Sequence, residues 1–449
     1  MKKLLLINPV GRKSGYLMSR FTTFAPLGLG YVAAVTPSTW KVKIIDENFE
    51  SFTYEDADLV GITAFTSNIN RAYEIATIYR KKKTKVVLGG IHASMFSEEA
   101  SRYADVVLTG EAEGIWPVVI DDFEKTNLKS NYTGPRLNLE THDIKPRRDL
   151  FHSHYFWQSV QTSRGCPFDC NFCSVSKYLG REFRQRKPSA VLNELKEITG
   201  DYIAFIDDNL IGYKKASRLR AREIFEGMIR LGLNKKWWMQ SSINAAEDEK
   251  TVELAAQSGC MFVFIGFETI NQSALKGMSK GVNLKIGVDK YKKVVDTFHK
   301  YGIGVMGAFI IGNDYESVPY YKKLADFISK SGIDIIQISV LTPLPGTKLM
   351  QDLQNQKKII YNDFPKDWDK YRFSYLVHQP NGIEPKTVYI GDNYIKHRLY
   401  SFPVYHQRLL SSIINLKNKK NFITSFLLNK ALKKSWKNSH YYKEYGRKF

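Results

Sequence analysis

The chain has 449 residues, 43% of them hydrophobic, so it is long enough to form two domains and a smaller third unit. Its formal net charge is +21, and a basic protein can bind nucleic acid. The sequence has no RRM or KH signature, however, which argues against a nucleic-acid partner. No apolar run approaches the roughly eighteen residues of a membrane-spanning helix, and the run at residues 4–7 is too short for a signal peptide, so we expect a cytoplasmic protein.

Residues 1–130 alternate short apolar runs with helical patterns. Strands that alternate with helices predict a parallel, doubly wound, Rossmann-like sheet, which binds ligands beyond the carboxyl ends of its strands. The expected strands are 4–8, 42–46, 59–64, 86–89 and 106–109, and the expected helices lie near 26–36, 67–81 and 96–103.

Three loops at these strand ends carry glycines and small hydroxyls. Glycine lets a backbone approach a flat ligand closely, and a hydroxyl can hydrogen-bond the edge of that ligand. The candidate contacts in these loops are Thr63, Thr66, Gly89, Gly90, His92, Gly110 and Glu111.

Residues 131–155 have little periodicity and are expected to link two units. Residues 156–355 then repeat a strand and a helical pattern six times, which predicts an open, partial (β/α)6 barrel of the TIM type with its active site at the carboxyl ends of the strands. Residues 356–449 are the expected, mainly helical, C-terminal capping segment. The barrel strands are expected at 159–163, 202–207, 238–243, 262–266, 304–311 and 335–341.

Three cysteines stand in the run Arg164-Gly-Cys-Pro-Phe-Asp-Cys-Asn-Phe-Cys. Thiolates from Cys166, Cys170 and Cys173 can hold three irons of a [4Fe–4S] cluster and leave the fourth iron open to a substrate or cofactor. Structural zinc is the alternative, but it needs four ligands and no second cysteine pair exists. The remaining cysteine, Cys260, lies in an apolar stretch and is expected to be buried.

The cysteine spacing, with Phe172 directly before the last cysteine, resembles the radical S-adenosylmethionine (SAM) superfamily. The run Pro26-Leu-Gly-Leu-Gly and the turns at Gly89 and Gly110 resemble its cobalamin-dependent members, which carry a B12-binding domain. The resemblance covers roughly residues 1–400. It implies SAM on the open iron, cobalamin on residues 1–130, cleavage of SAM to a 5′-deoxyadenosyl radical, and methylation of an unactivated carbon of a natural product or lipid.

The resemblance also implies where SAM binds. Polar residues lie at successive strand ends of the expected barrel, and family members carry similar residues there. A carboxylate or amide can accept hydrogen bonds from ribose hydroxyls or from the methionine ammonium group. The expected SAM contacts are Phe172, Asp207, Gln240, Ser242 and Glu268, with Asp208 and Asn209 lining the cavity.

One loop departs from the family pattern. Many members carry Asp-x-His-x-x-Gly after the first strand, where the histidine binds cobalt, whereas this chain has Asn8-Pro-Val-Gly-Arg-Lys. Either cobalt takes no histidine from this loop, with His92 as a candidate substitute, or cobalamin does not bind. Two other functions stay open: a radical SAM rearrangement, cyclisation or oxidation without methyl transfer, and an iron–sulfur redox or electron-transfer protein.

The C-terminal tail is strongly basic, because residues 416–449 hold ten Lys or Arg and one acid, Glu444. Such a basic amphipathic helix can lie on an anionic membrane, or it can dock on the protein's own core. The other expected partners are a small-molecule substrate and an electron donor such as flavodoxin or ferredoxin. Apolar residues recur at helical spacing between the lysines at Phe422, Ile423, Phe426, Leu427, Ala431, Leu432 and Trp436.

Overall fold

The computed structural model describes residues 1–11 and 23–445. Arg12 and Lys13 of the first loop, and Arg447 and Lys448 of the basic tail, lie outside the described residues. Two six-stranded sheets organise the chain, and all neighbouring strands in both sheets run parallel.

The first sheet confirms the predicted doubly wound domain. Its strands are β1 (Lys2–Asn8), β2 (Trp40–Asp46), β3 (Leu59–Thr63), β4 (Lys85–Gly89), β5 (Val106–Gly110) and β6 (Asn131–Gly134), in the spatial order β2-β1-β3-β4-β5-β6. The strand order reverses at β1 and β3, and the loops after these two strands meet there, where Asn68 donates to the Pro9 carbonyl at 2.7 Å. Such a switch point is where open α/β sheets bind ligands.

Helices cover both faces of this sheet. One face carries α1 (Leu27–Ala34) and α5 (Trp116–Glu124), and the other carries α2 (Ile69–Lys81), α3 (Ile91–Met95) and α4 (Ser97–Ala100). The longest of these helices, α2, buries an apolar stripe at spacings of three and four that consists of Ile69, Ala72, Tyr73, Ala76 and Tyr79.

Strand β6 was not expected, because it lies within the segment predicted to be a linker. It pairs with β5 in parallel and buries Tyr132 against the first core. The Tyr132 hydroxyl donates to Asp122 of α5 at 2.7 Å, which fixes the strand to the helix before it. Four residues with one buried aromatic give too short a pattern to predict a strand from periodicity.

The second sheet confirms the predicted partial barrel. Its strands are β7 (Gln158–Val160), β10 (Tyr202–Phe205), β11 (Lys236–Ser241), β12 (Cys260–Glu268), β13 (Gly304–Ile311) and β14 (Ile335–Val340), in the spatial order β14-β13-β12-β11-β10-β7. A short antiparallel pair, β8 (Ser163–Arg164) with β9 (Arg184–Gln185), stands beside this sheet. The helices are α6 (Val175–Tyr178), α7 (Pro188–Glu197), α8 (Lys215–Arg230), α9 (Glu249–Gln257), α10 (Gln272–Gly277), α11 (Gly281–Ile286), α12 (Tyr291–Lys300), α13 (Val318–Lys330) and α14 (Lys348–Asn355).

Alternate residues of each barrel strand face opposite layers. Ile203, Trp237 and Val305 pack outward into the large core under the helices, and Cys260 is buried there as predicted. Ala204 and Met306 belong to a smaller cluster on the inner side. The inside of the barrel therefore has its own lining, separate from the helix-covered core.

The expected first barrel strand at 159–163 is interrupted. The Thr162 backbone N–H donates to the Asp207 carboxylate at 3.0 Å instead of to a neighbouring strand. This side-chain acceptor ends β7 at Val160 and turns the chain toward the cysteine loop.

The C-terminal segment contacts both units. Trp368 and Tyr371 pack into the core of the first domain beside α2, and Trp368 donates to Glu99 at 3.0 Å. The last helices lie beside and beneath the barrel. They are α15 (Pro385–Tyr400), α16 (Val404–Asn415), α17 (Lys419–Lys437) and α18 (His440–Tyr445).

Helix α17 closes the end of the barrel opposite the carboxyl ends of the strands, and we call this end the floor. Leu428 and Leu432 pack against Met261 and Ile335 inside the barrel. The tail helix thus docks on the protein's own core. Only part of the predicted apolar stripe faces the core: Leu432 and Trp436 are buried, whereas Ile423, Phe426 and Leu427 face outward. Polar residues of the helix are buried instead at Asn421, Ser425 and Asn429.

The buried polar residues of α17 have a clear physical reason. Asn429 donates to the Asp334 carbonyl at 2.8 Å, and Asn421 donates to the Gly302 carbonyl at 3.3 Å. Both carbonyls stand just before barrel strands, where the sheet leaves backbone acceptors unpaired. Across the described residues, no helix combines the length and apolarity needed to cross a membrane.

Candidate active site

The loop that carries the three cysteines is shaped by backbone contacts at the mouth of the barrel, the end formed by the carboxyl ends of the strands. Gly165, directly before Cys166, has a φ of 88°, and a Cβ there would stand 2.0 Å from the Glu182 carbonyl oxygen. The Cys166 N–H donates to the Gly180 carbonyl at 3.1 Å. Glycine is therefore required where the chain enters the loop.

The three thiols of this loop are unpaired cysteines, and burial raises the pKa of Cys173 to about 12. A buried thiol of this kind stays protonated unless a metal takes the place of its proton. Among the described residues no three His, Cys, Asp or Glu side chains converge on one metal ion. A [4Fe–4S] cube takes one thiolate per iron, so its ligands do not need to converge on a point, and three free thiols on one loop fit it.

Asp207 anchors the segment that leads into the cysteine loop. Its carboxylate is fully buried and accepts from the Thr162 hydroxyl at 2.9 Å and the Ser163 hydroxyl at 2.5 Å. The structure thus places this expected SAM contact inside the protein, where it supports the loop. The neighbouring Asp208 is half-buried, and burial together with the Asp207 charge raises its pKa to about 7.

Glu268 ends the fourth barrel strand with a φ of 63°, an uncommon backbone conformation for a residue other than glycine. Its carboxylate pairs with the Lys280 ammonium at 2.5 Å, and both side chains are largely buried. The same ammonium lies 5.9 Å from the centre of the Phe172 ring, within the cysteine loop. Lys280 therefore brings a positive charge to the cysteine loop and holds Glu268 beside it.

The segment before Lys280 is fixed to the cysteine loop. The Asn171 N–H donates to the Met278 carbonyl at 3.2 Å, and the Asn171 side chain donates to the Gly277 carbonyl at 2.7 Å. Lys280 could not be predicted from the strand ends, because it follows α10, twelve positions beyond the end of β12 at Glu268.

The other two expected SAM contacts end the third strand. Gln240 is half-buried on the inward side of β11. Ser242 lies in a polar network, where its hydroxyl donates to Asn244 at 2.6 Å and accepts from Asn209 at 3.0 Å. Ser242 thus joins the second and third strand ends.

The carboxyl edge of the first sheet carries the loops expected to hold a flat ligand. Thr63, Gly89, Gly90 and Gly110 are half-buried along this edge. Gly90 has a φ of 93°, and a Cβ there would stand 2.7 Å from the Ala64 carbonyl oxygen. Small residues and a close backbone give an open shelf, which fits a broad planar group such as a corrin.

Thr66 and His92 lie beneath this shelf. His92 is fully buried, with Nδ1 3.2 Å from the Thr66 hydroxyl and Nε2 3.3 Å from Glu99. Trp368 packs edge-on against the imidazole, with ring centres 5.0 Å apart. Both ring nitrogens of His92 are thus engaged within the protein, which does not favour His92 as a metal ligand.

Glu111, expected at the flat ligand, pairs with arginines of the second unit. Its carboxylate is 6% exposed and contacts Arg164 at 2.9 Å and also Arg184. Burial alone would raise the pKa of Glu111, but these two guanidinium groups hold it below its usual range. Arg164 also pairs with Glu113 at 2.5 Å.

These ion pairs bring the two expected cofactor sites together. Arg164 stands two residues before Cys166, and Glu111 directly follows β5. The hydroxyl of Tyr178, five residues after Cys173, donates to the Gly110 carbonyl at 3.3 Å. The carboxyl edge of the first sheet therefore abuts the cysteine loop at the mouth of the barrel.

Two family models match the chain. The radical SAM superfamily matches residues 160–328, and the B12-binding domain matches residues 14–120. The two matched regions cover most of the barrel and most of the first sheet.

Three similar proteins cover most of the chain. An uncharacterized methyltransferase of Pyrococcus horikoshii is 30% identical, covering 78% of this chain and 83% of the relative. Bacteriochlorophyllide d C-8(2)-methyltransferase of Chlorobaculum tepidum is 29% identical, covering 90% of this chain and 91% of the relative. The structure of the radical SAM methyltransferase TsrM from Kitasatospora setae, with cobalamin and a [4Fe–4S] cluster bound, has a TM-score of 0.70 at 15% identity and covers 97% of this chain and 100% of TsrM.

The matched domains also identify the cofactors. A radical SAM domain uses a [4Fe–4S] cluster and SAM, and the B12-binding domain adds cobalamin. The cysteine loop, the strand ends of the barrel and the shelf of the first sheet supply residues that fit these groups. The chain belongs to the family of cobalamin-dependent radical SAM methyltransferases.

Proposed function

We propose that this enzyme methylates an unactivated carbon of an apolar natural product or lipid. The composition of the barrel lining is the observation that supports this class of substrate. Apart from the charged Asp208, Glu268 and Lys280 at the mouth, the half-buried side chains that face inward include Ile206, Trp238, Gln240, Phe264, Met306, Ile310 and Gln337. Two of them are amides and none is charged, a composition that suits an apolar molecule with few polar groups.

The cofactors supply the radical chemistry and the methyl group when they are bound. The protein's part is to position them and to keep water out. Arg164 and Tyr178 hold the cysteine loop against the first sheet, so both cofactor sites face one cavity mouth. The apolar lining excludes water from the place where a reactive carbon would be exposed.

The proposed SAM contacts are Phe172, Gln240, Ser242 and Glu268. Lys280 joins this set, because its ammonium lies beside both Glu268 and Phe172 and can pair with the SAM carboxylate. Asp208 takes the place of Asp207, because Asp208 is half-buried while Asp207 already accepts from Thr162 and Ser163.

The proposed cobalamin contacts are Thr63, Gly89, Gly90 and Gly110 on the shelf. Thr66 and His92 would support this shelf from below through their mutual hydrogen bond. Glu111 would hold the shelf against the cysteine loop through Arg164.

Two partners complete the proposal. A one-electron donor such as flavodoxin or ferredoxin would reduce the cluster. The basic C-terminal segment would bring the enzyme to a membrane surface, which is a suitable place to meet an apolar substrate.

An anaerobic incubation tests the reaction directly. The reconstituted enzyme would receive a reductant, SAM with a deuterated methyl group and an apolar extract, and products would be scored by mass. We expect a product that gains the labelled methyl group, and none with a Cys166→Ala enzyme. 5′-Deoxyadenosine without a labelled product would favour a rearrangement, cyclisation or oxidation. An enzyme that leaves SAM intact would favour the redox-carrier function.

A further inference from the structure

The outward sides of α16 and α17 carry a group of exposed aliphatic and aromatic side chains. Six of them form what we call the C-terminal face: Leu410 (62% exposed), Ile413 (52%), Ile414 (74%), Ile423 (43%), Phe426 (37%) and Leu427 (37%). Isolated exposed apolar residues are ordinary on protein surfaces, but a cluster on two consecutive, mutually packed helices marks an interaction site.

Both helices already have a separate buried side. Helix α16 buries Val404, Arg408 and Ser412, and Arg408 donates to the Asp334 carbonyl at 3.2 Å. Helix α17 buries Leu432 on the barrel floor and Trp436 against α15. The C-terminal face lies on the opposite side of each helix, so the fold of this chain leaves it uncovered.

The stretch of chain that carries this face has charge of one sign. Residues 393–443 contain no Asp or Glu. Lysines flank the apolar side chains, and all of those on the outer surface are exposed: Lys417, Lys419, Lys420, Lys430, Lys434 and Lys437. Among the described residues, none of these six forms an ion pair with a carboxylate.

We infer that the C-terminal face docks on an anionic lipid bilayer. An apolar patch bordered by lysines matches the surface of helices that lie in the interface of a membrane, where the apolar side enters the acyl boundary and the lysines contact anionic headgroups. The inference rests on the proposed membrane contact and is independent of methyl transfer.

Two other occupants fit this face less well. A second copy of the chain would place one lysine-bordered surface against another, and a net charge of +21 opposes that pairing. Nucleic acid would attract the lysines, but it offers no apolar surface for Leu410 or Ile414.

The position of the face sets the orientation of the bound enzyme. Helix α17 lies on the floor, whereas the cysteine loop lies at the mouth. Docking through the C-terminal face therefore holds the floor near the lipid and leaves the mouth accessible from the opposite side.

Point variants test the inference better than truncation, because deleting α17 would uncover the floor of the barrel. The double variant Ile414→Glu, Phe426→Glu changes two exposed positions. Leu219→Glu, Leu231→Glu is the matched control, since both residues are exposed apolar side chains, at 50% and 39%, and belong to α8 or directly follow it rather than to α16 or α17. Thermal unfolding verifies that all variants fold.

The assay is co-sedimentation of the full-length, reconstituted enzyme with vesicles of equal parts phosphatidylglycerol and phosphatidylcholine. We expect the double variant to lose about tenfold in vesicle partitioning, and the control to bind as the wild type does. Lys430→Gln, Lys434→Gln should weaken binding relative to Lys322→Gln, Lys323→Gln, and added salt should have the same effect.

Several results would overturn the inference. These are equal binding by wild type and double variant, no binding by wild type, and equal binding to vesicles of phosphatidylcholine alone. A wild-type dimer in analytical ultracentrifugation that Ile414→Glu, Phe426→Glu converts to a monomer would also overturn it, because the face would then join two copies of the chain. Methylation without vesicles is expected to be unchanged in the double variant, so failure of the membrane inference and failure of the proposed reaction are distinguishable.

Discussion

Arg164 and Glu111 form a buried ion pair at 2.9 Å that joins the loop carrying the three cysteines to the carboxyl edge of the first sheet. Both side chains are less than 10% exposed, so each charge depends on the other for solvation. This pair links two domains that could otherwise move relative to each other. The distance between the two proposed cofactor sites is therefore set by electrostatics as well as by packing.

Removing the arginine of this pair should be costly. We expect Arg164→Leu to lower the free energy of unfolding by about 3–5 kcal/mol, because Glu111 and Glu113 are left buried with less positive charge nearby. Arg181→Leu is the control, since its ion pair with Asp169 is exposed and should contribute less than about 1 kcal/mol. Urea unfolding measures both, and similar effects of the two changes would contradict the assignment.

Iron content should distinguish the three cluster ligands from Cys260, the fourth cysteine. Cys166→Ala, Cys170→Ala or Cys173→Ala should reduce bound iron from about four per chain to nearly none, because a cube held by two thiolates is labile. Cys260→Ala should retain the full iron content, since Cys260 begins β12 and is buried in the helix-covered core on the outer face of the barrel. Iron and sulfide analysis after anaerobic reconstitution decides this. Loss of iron in the Cys260 variant would show that the ligands are misassigned.

Glu268 and Lys280 should act as one unit in binding SAM. We expect Glu268→Ala to weaken SAM binding by about 1.5–3 kcal/mol, because hydrogen bonds to charged groups contribute that much. Lys280→Ala should cost a similar amount, and the double variant should cost less than the sum because the two side chains are paired at 2.5 Å. Calorimetry on the reconstituted proteins measures the affinities, with the exposed Lys276→Ala as the control. Additive losses would show that the residues bind SAM independently.

Cobalt should carry no imidazole from this protein. Val10 stands where family members place a histidine, and both nitrogens of His92 are engaged by Thr66 and Glu99. In enzyme labelled with ¹⁵N and loaded with unlabelled cobalamin, we expect the paramagnetic resonance lines of cobalt(II) to show no doublet splitting from a protein nitrogen. The same spectrum is expected for His92→Ala. Doublets that disappear in this variant would identify His92 as the axial ligand, which tunes the metal's potential.

His378 should make the fold sensitive to acid. Burial lowers the pKa of His378 to about 4, and the ring lies 3.0 Å from the Gly312 carbonyl. A histidine with a lowered folded-state pKa stabilises the fold above its unfolded pKa of about 6.5, and this stability is lost as the pH falls toward 4. Between about pH 7.5 and pH 5, the wild type should lose about 2 kcal/mol more unfolding free energy than His378→Gln does. Parallel pH profiles of the two proteins in urea unfolding would contradict this.

The sequence predicted both sheets, apart from β6, because most strands contain a buried apolar run and the longer helices carry a repeating apolar stripe. The strand at 304–311 matches residue for residue, and the cysteine loop was found from spacing alone. Partners distant in the chain could not be predicted. Lys280 meets Glu268 only because α10 turns the chain back toward the cysteine loop.

Residue type alone does not predict which polar side chains of this protein are buried. Asp207 and Asp208 are adjacent residues of the same type. Asp207 is fully buried and anchors the cysteine loop, whereas Asp208 is half-buried near the thiols. In the tail, Leu432 and Trp436 of the predicted apolar stripe are buried, but Ile423, Phe426 and Leu427 are exposed. The barrel floor has backbone carbonyls that accept hydrogen bonds from Asn421 and Asn429, so these two polar residues are buried. In both cases the deciding factor is the hydrogen-bonding surroundings that the rest of the fold provides.

The closure of the barrel floor by α17 has a consequence for how the protein is made. The ribosome completes this helix only after all six barrel strands, so the inner surface near Met261, Phe262 and Ile335 stays open until translation is nearly finished. An incomplete chain of this kind exposes apolar surface that chaperones and proteases recognise. A premature stop before Lys419 is therefore expected to remove the protein from the cell rather than yield a shorter working enzyme.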